Sequence, residues 1–492
     1  MATGVPAGVL TPAAMKQTLA TNYIDFADAG ANSANWAQQY LPDLMEKEAE
    51  VFGNRTISGF LSQVGAEESM AADQVIWSEQ GRLHLSYKDV TGTNNSGELK
   101  LDFTAATDVD GNAVPGTTQG LDHGIRPGDM LLVSDANETV QVFVQSLYAV
   151  AGTPDALVNC ERYDGNASGV AGLSGDLVVL VYGSEYVKGS IGRAGANAPQ
   201  HLSRTNKPII LKDKYEVSGS DASAIGWVEV SGEEGQNGYM WYLKASGDTK
   251  ARFSDYLEMA MMESVTSNSA MSASAVDGAT GTIGGTEGLW EALGARGNLS
   301  SVLDGATPSA ALAEFDSIIA ELDKQGAIEE NMMFLNREVA LSIDDMLAGM
   351  NSYGASGTSY GVFNNEEDMA LNLGFSGFRR GSYDFYKSDF KYLNDAATRG
   401  LINATDGTNK ITGVLVPAGV SSVYDQSLGK NLKRPFLHVR YRASKMESRK
   451  YKTWTTGSVG ATTSDLDAME MHFLSERCLV VQGANNFVLL KG

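Results

Sequence analysis

Cysteine is scarce. The two in this chain of 492 residues, Cys160 and Cys478, lie far apart in sequence. They make no disulfide framework, and such usage fits synthesis in a reducing compartment. Proline is scarce too, 11 residues against 54 glycines, which points to turns and hairpins rather than rigid linkers. No apolar run approaches the roughly 18 residues that would suggest a membrane-spanning helix. The start, Met1-Ala2-Thr3-Gly4-Val5, lacks the basic region and apolar core of a signal peptide. A soluble protein made in the cytosol is the expectation. Positive charge is also short: 37 bases face 60 acids, for a net charge of -23. A free-standing nucleic-acid binder would normally be basic, and an anionic membrane would repel this chain.

Catalytic patterns are missing as well. The five histidines, His84, His123, His201, His438 and His472, are scattered. No His-x-His or Cys-x-x-Cys spacing brings metal ligands together. There is no nucleophile elbow, no phosphate-binding loop and no placed dinucleotide fingerprint. No catalytic, cofactor-binding or metal residue can be named, and the chain reads as a non-enzyme. Asp108-Val109-Asp110-Gly111-Asn112 looks like the opening of a calcium loop, but the twelfth position is Gln119 rather than glutamate. It reads as an ordinary turn, and Gly232-Glu233-Glu234-Gly235 as an exposed loop tip.

What is present is apolar residue in quantity, 43%, enough for two to four domains with real cores. The clearest stretch runs from Thr307 to Gly349. Thr307 is a good N-cap, and Pro308 suits the first helical position. Leu312, Phe315, Ile318, Ile319 and Leu322 then fall on one stripe of a helix. Gly326 closes it. Met332-Met333-Phe334-Leu335 is apolar at every position and fits a strand buried on both faces. Asn336 caps a second helix carrying Val339, Ala340, Ile343, Met346 and Leu347, and Gly349 stops it. A helix–strand–helix unit of this kind must pack on further sheet.

The remainder alternates between arm, strands and one long helix. Residues 1–35 read as an extended arm, and Trp36 to Val51 as a short helix. Period-two patterns run through Val75 and Trp77; Leu83, Leu85 and Tyr87; Leu99, Leu101 and Phe103; and Val140, Val142 and Val144, and Val178 to Tyr182 makes another strand. Residues 100–185 look like a small, self-contained β-domain of hairpins. Ile209-Ile210-Leu211, Trp227 to Val230 and Met240-Trp241-Tyr242-Leu243 read as strands. A helix follows with Phe253, Tyr256, Leu257, Ala260, Met261 and Ser264 on one face. Strands return at Ile411–Val416 and Phe436–Tyr441. The end, Cys478-Leu479-Val480-Val481, a turn at Gly483 to Asn486 and Phe487-Val488-Leu489-Leu490, reads as a hairpin closing a sheet.

One charge anomaly stands out. Between Lys430 and Lys452 lie nine bases: Lys430, Lys433, Arg434, Arg440, Arg442, Lys445, Arg449, Lys450 and Lys452. They form either a solvated strand and loop or a basic arm that pairs with the acidic surface of a neighbouring copy. Direct DNA contact ranks third, given the net charge. Arg379 and Arg380 can belong to the same electrostatic system. The inter-subunit contact candidates are therefore Arg379, Arg380, Arg440, Arg442, Lys445, Arg449, Lys450 and Lys452.

The order of elements resembles a known family. Asp255-Tyr256-Leu257-Glu258-Met259-Ala260 is similar to the entry of a spine helix. Ser475-Glu476-Arg477-Cys478-Leu479-Val480-Val481, with Phe487-Val488-Leu489-Leu490 after the turn, is similar to the closing strands of the same domain. Together with the 307–349 unit they resemble the major capsid protein of tailed bacteriophages, the Hong Kong 97-type fold. The resemblance implies an α+β chain with an N-terminal arm at 1–73 and an extended β-loop region at 74–99 and 186–245. It implies an inserted small β-domain at 100–185, a peripheral domain with a long spine helix at 246–300 and 425–492, and an axial domain at 301–424. It further implies self-assembly into hexamers and pentamers of an icosahedral shell. Portal, scaffold and decoration or cement proteins would be partners, packaged double-stranded DNA a non-specific content, and the virion the location. The inserted domain is larger than the minimal fold needs, and no crosslinking Lys/Asn pair or maturation cleavage site can be placed. A tail sheath or tube subunit, and a secreted enzyme or adhesin with β-modules, are the other classes in play.

Overall fold

In the computed structural model the strands form two larger open sheets, one closed one and four two-stranded ribbons among the described residues. The structure describes residues 61, 66–80, 84–108, 123–150, 153–166, 168–193, 201–220, 229–231, 237–267, 271–272, 282–300, 308–326, 328–351, 377–405, 409–418, 420–425, 430–459 and 462–492. The 36–51 helix, the turn at 109–112, the tip at 232–235 and the Thr307 cap, all read from sequence, lie outside these residues. The chain divides into two units: Ser78–Arg204, and the residues on either side of it.

The Ser78–Arg204 unit is a closed antiparallel barrel. Around the ring the strands run Ser86–Asn95, Glu98–Asp102, Thr153–Arg162, Thr139–Val150, Asp129–Ser134 and Asp176–Ser184, which returns to Ser86–Asn95. Closure leaves the ring no free edge. Alternate residues point inward, and Val90, Leu99, Leu101, Leu131, Val133, Val142, Val144, Val158 and Val179 are fully buried. Ser96 and Gly97, both at positive φ, make the two-residue turn between the first two strands. The boundary expected at residue 100 thus falls inside a strand, because Leu99 and Leu101 line the same interior as Val90.

The larger unit holds the five- and six-stranded sheets. In the six-stranded sheet the order is Asn298–Ser300, Val488–Lys491, Ile411–Pro417, Glu330–Leu335, Tyr383–Asp389 and Gly377–Arg380. Helices Pro308–Gln325 and Arg337–Asn351 contribute Phe315, Ile318, Leu322, Val339, Ile343 and Met346 to a core with Met333 and Leu335. Phe334, on the opposite face, joins a second core with Met261, Met262, Leu289, Leu293 and Val414. The strand is therefore buried on both faces, as its unbroken apolar run requires. Asn336 caps the second helix by accepting the Val339 N–H at 2.9 Å. Gly326 ends the first helix at φ +70. The second runs two residues beyond Gly349 to Asn351.

The five-stranded sheet is built on Ala468–Val481. Ile209–Ser218 pairs along one of its edges, while Lys452–Gly457 and Leu437–Arg442 share the other. Ala66–Met70 then adds in parallel to Leu437–Arg442. The long helix Met240–Glu263 meets this sheet through Phe253 and Leu257, packed with Phe473 and flanked by Tyr451.

Three sequence expectations change here. Met240 to Leu243 opens the long helix instead of forming a strand; four apolar residues carry no period of their own and follow the helix that continues them. Tyr256 is 46% exposed, since it lies off the i, i+4, i+8 row of Phe253, Leu257 and Met261 that the helix buries. The last two strands are no hairpin. Ala468–Val481 belongs to the five-stranded sheet and Val488–Lys491 to the six-stranded one. Gly483, at φ +58, and the short turn Ala484–Asn486 carry the chain between them.

Candidate assembly surface

Six of the eight candidate residues gather in one region of the five-stranded sheet: Arg440 and Arg442 on the strand Leu437–Arg442, Lys445, Arg449 and Lys450 in the following loop, and Lys452 at the start of Lys452–Gly457. The loop is folded by its own backbone, with Ser444 N–H donating to Glu447 O at 2.7 Å and Arg449 N–H to Arg442 O at 2.8 Å. Ser475 Oγ fastens it to the central strand by donating to Lys450 O at 2.6 Å.

Acids of the edge strand face these bases. Parallel register places Glu68 opposite Arg440, and their charged groups lie 2.7 Å apart. Glu67, pointing to the other face, pairs with Lys450 and lies 3.7 Å from Arg477. Past the strand, Asp73 pairs with Arg442, which also reaches Glu476 at 3.5 Å. Arg449 lies 2.8 Å from the second oxygen of Glu476, and Lys452 2.5 Å from Glu447.

The charges shape one another. Asp73 pushes the Arg442 guanidinium above its ordinary pKa, and Lys452 holds the Glu447 carboxyl below its own. Arg477 is pulled down by burial, which Glu67 and Glu258 oppose. It stays fixed by donating to Ser475 Oγ at 2.9 Å and Lys450 O at 3.0 Å. Lys450 and Lys452 also sit over the rings of Tyr441 and Trp454, at 5.4 and 5.6 Å. Lys445 is exposed and has no ion-pair partner among the described residues.

Arg379 and Arg380 lie elsewhere. They end the strand Gly377–Arg380 of the six-stranded sheet, where Gly381 at φ +62 turns the hairpin. Arg380 grips Asp316 with two hydrogen bonds of 2.8 and 2.7 Å, and Arg379 lies 3.5 Å from Asp384. The two basic groups share no ion-pair partner among the described residues. The residues that sequence reasoning missed are the complementary acids Glu67, Glu68, Asp73 and Glu476. The run Glu67-Glu68 was a visible signal, but nothing local links it to a basic strand: Asp73 and Arg442 are 369 residues apart.

Among the described residues no group of three or more His, Cys, Asp or Glu side chains is placed to hold a metal ion. No helix there is long and apolar enough to cross a membrane. The surface offers ion pairing and strand addition.

No family model matches the chain, and no curated protein does. Solved phage structures are similar to it in shape. One, of Microbacterium phage Oxtober96, is 8% identical, with 94% of this chain and 99% of that one covered and a TM-score of 0.37. Another, of Mycobacterium phage Bobi, is 8% identical over 91% and 95% of the two chains, with a TM-score of 0.36. A third is the capsid structure of the Cyanophage P-SCSP1u, 9% identical over 63% and 79%, with a TM-score of 0.33.

Proposed function

We propose that this chain is a structural shell subunit, a major capsid protein of the Hong Kong 97 type. It would assemble as hexamers and pentamers of an icosahedral shell around double-stranded DNA. The observation that carries this reading is the way one sheet collects the chain: the arm strand Ala66–Met70 and the late strand Ala468–Val481 share a sheet on which the long helix Met240–Glu263 packs. That is the order of elements the resemblance implies for arm, spine helix and closing strands.

In this reading the five-stranded sheet and its helix form the peripheral domain. The six-stranded sheet with its two helices forms the axial domain, and the barrel is an insertion in the extended loop. The acidic net charge suits it, since a shell wall should not adhere to the DNA packed beside it. Portal, scaffold and decoration proteins would be partners in the virion. Electron microscopy of the purified protein tests the reading. Closed shells support it, tubes point to a sheath or tube subunit, and monodisperse monomers at every concentration overturn it.

A further inference from the structure

Residues 66–73 have the construction of a removable strap. From Glu67 to Gln74 no residue is buried. The strand pairs with one neighbour only among the described residues, Leu437–Arg442. Beyond that pairing, Met70 O accepts the Ala443 N–H at 2.9 Å, and its attachments include the ion pairs of Glu67, Glu68 and Asp73 with Lys450, Arg477, Arg440 and Arg442. Both ends are anchored far more firmly. Leu61 is 3% exposed in the large core and donates its N–H to Glu258 at 3.2 Å. Trp77 is 7% exposed, with the Arg296 guanidinium 5.9 Å from its ring centre. A weakly held segment between two fixed points can lift without freeing either.

Lifting the strap would uncover two things together: the open backbone edge of Leu437–Arg442, and a row of bases that has lost the three acids Glu67, Glu68 and Asp73. Arg442 and Arg449 would keep Glu476. Arg440 and Arg477, whose side chains are only 15% and 7% exposed, would lose Glu68 and Glu67. Half-buried cations beside an open strand edge select an extended acidic segment.

We propose that the strap is an internal competitor. It covers the basic edge in the free subunit, and it yields on assembly to an extended acidic segment of a second copy of this chain. This rests on the shell reading above. Charge complementarity names the occupant: the chain carries 60 acids against 37 bases, so another copy brings acidic surface to the contact. The competitor also accounts for control, because subunits whose edge is covered do not pair prematurely.

A reversible lock tests the proposal. Ser69 and Tyr441 are partners in the parallel register, so Ser69→Cys with Tyr441→Cys can clamp the strap by a disulfide. The native thiols should not interfere. Cys160 and Cys478 are buried, and burial raises the Cys478 thiol to about 12. We expect the oxidised protein to remain as subunits in sedimentation, and the same sample to form particles after reduction. Equal assembly in both states overturns the competitor. The neutral variant Glu67→Gln, Glu68→Gln, Asp73→Asn should assemble at lower protein concentration than the wild type; a higher threshold overturns it as well. Hydrogen exchange of the unassembled wild type reads strap release separately. Amides of Glu67–Met70 should exchange about tenfold faster in 1 M salt than in 0.1 M, while those of Ala468–Val481 hold. Unchanged exchange refutes release whether or not shells form. Wild type that never forms particles, with exchange as expected, refutes the shell reading and leaves the strap standing.

Discussion

Arg399 donates from one guanidinium nitrogen to both carboxylate oxygens of Glu263, at 2.6 Å each. The same carboxylate accepts the Tyr392 hydroxyl at 2.6 Å and the Trp290 indole N–H at 3.1 Å. Burial, reinforced by this carboxylate, keeps the Tyr392 hydroxyl protonated well above its ordinary range. Glu263 therefore joins the last turn of the long helix to three separate segments. Glu263→Ala would leave buried donors without an acceptor, and Arg399 is only 12% exposed. We expect a loss of about 1–3 kcal/mol in denaturant unfolding, because stranded polar groups cost more than the net value of their bonds. Glu263→Gln should recover part of it.

Phe315 is fully buried among Phe378, Phe385 and the helix stripe, with ring centres 5.4 and 4.9 Å away. Phe315→Ala should destabilise by ~3–5 kcal/mol as a cavity mutation. An unchanged melting temperature would remove this helix from the core.

The barrel makes a sharper prediction than a generic insertion would. A fragment spanning Ser78–Arg204 should fold alone, since the ring closes within it. A fragment of residues 100–185 should not. It lacks the strand Ser86–Asn95 that bridges Asp176–Ser184 and Glu98–Asp102, and so leaves two open edges. Dispersion of amide resonances in the two fragments decides the matter.

Charge at the basic loop should act on assembly more than on folding. The partly exposed ion pairs of Arg442, Arg449 and Lys450 contribute only about 0–1 kcal/mol each, yet in the proposed shell they would be repeated in every subunit. Reversing Arg440, Arg442, Arg449 and Lys450 together should leave a folded subunit that assembles poorly, with strong salt dependence. Arg449→Gln with Lys450→Gln is the milder companion. Sedimentation of particles against subunits across a salt series reads both. Assembly equal to wild type at every salt concentration would make the segment a merely solvated face.

Acid should weaken the five-stranded sheet through Glu470. Lys214 donates to it at 3.0 Å and holds its carboxyl below the ordinary 4.5. A depressed folded pKa stabilises fully above the unfolded value, and that stabilisation is lost as pH falls through the folded one. Melting temperature should therefore drop below pH about 4.5, and Lys214→Met should flatten that limb. A parallel acid limb in the variant would contradict the assignment.

The sequence made local matters legible. The caps at Asn336 and Gly326, the stripe through Phe315, and the doubly buried strand at Met332–Leu335 are all written within a few residues of where they act. The inward alternation of Leu99, Leu101, Val140, Val142 and Val144 was equally plain. Partnership was not. The apolar runs Cys478 to Val481 and Phe487 to Leu490 mark strands, but the same pattern serves either sheet. The decision rests with contacts from Leu437–Arg442 and Ile411–Pro417. Ring closure of the barrel is likewise a pairing between its first strand and its last. The basic segment was visible as an anomaly, while its cis counter-charges were not. Opposite charges hundreds of residues apart leave no trace in local pattern.

The final strands set a clock for synthesis. Ala468–Val481 is central to one sheet and Val488–Lys491 is interior to the other, so neither sheet can close until these late strands have been made. The barrel, complete by Arg204, is free to fold while most of the chain is still unmade. Until then the arm strand has no Leu437–Arg442 to lie against, and the larger unit waits on contacts of long sequence separation, which form slowly. The larger unit of a nascent chain thus stays open until residues 468–491 have been made, a delay imposed by topology alone.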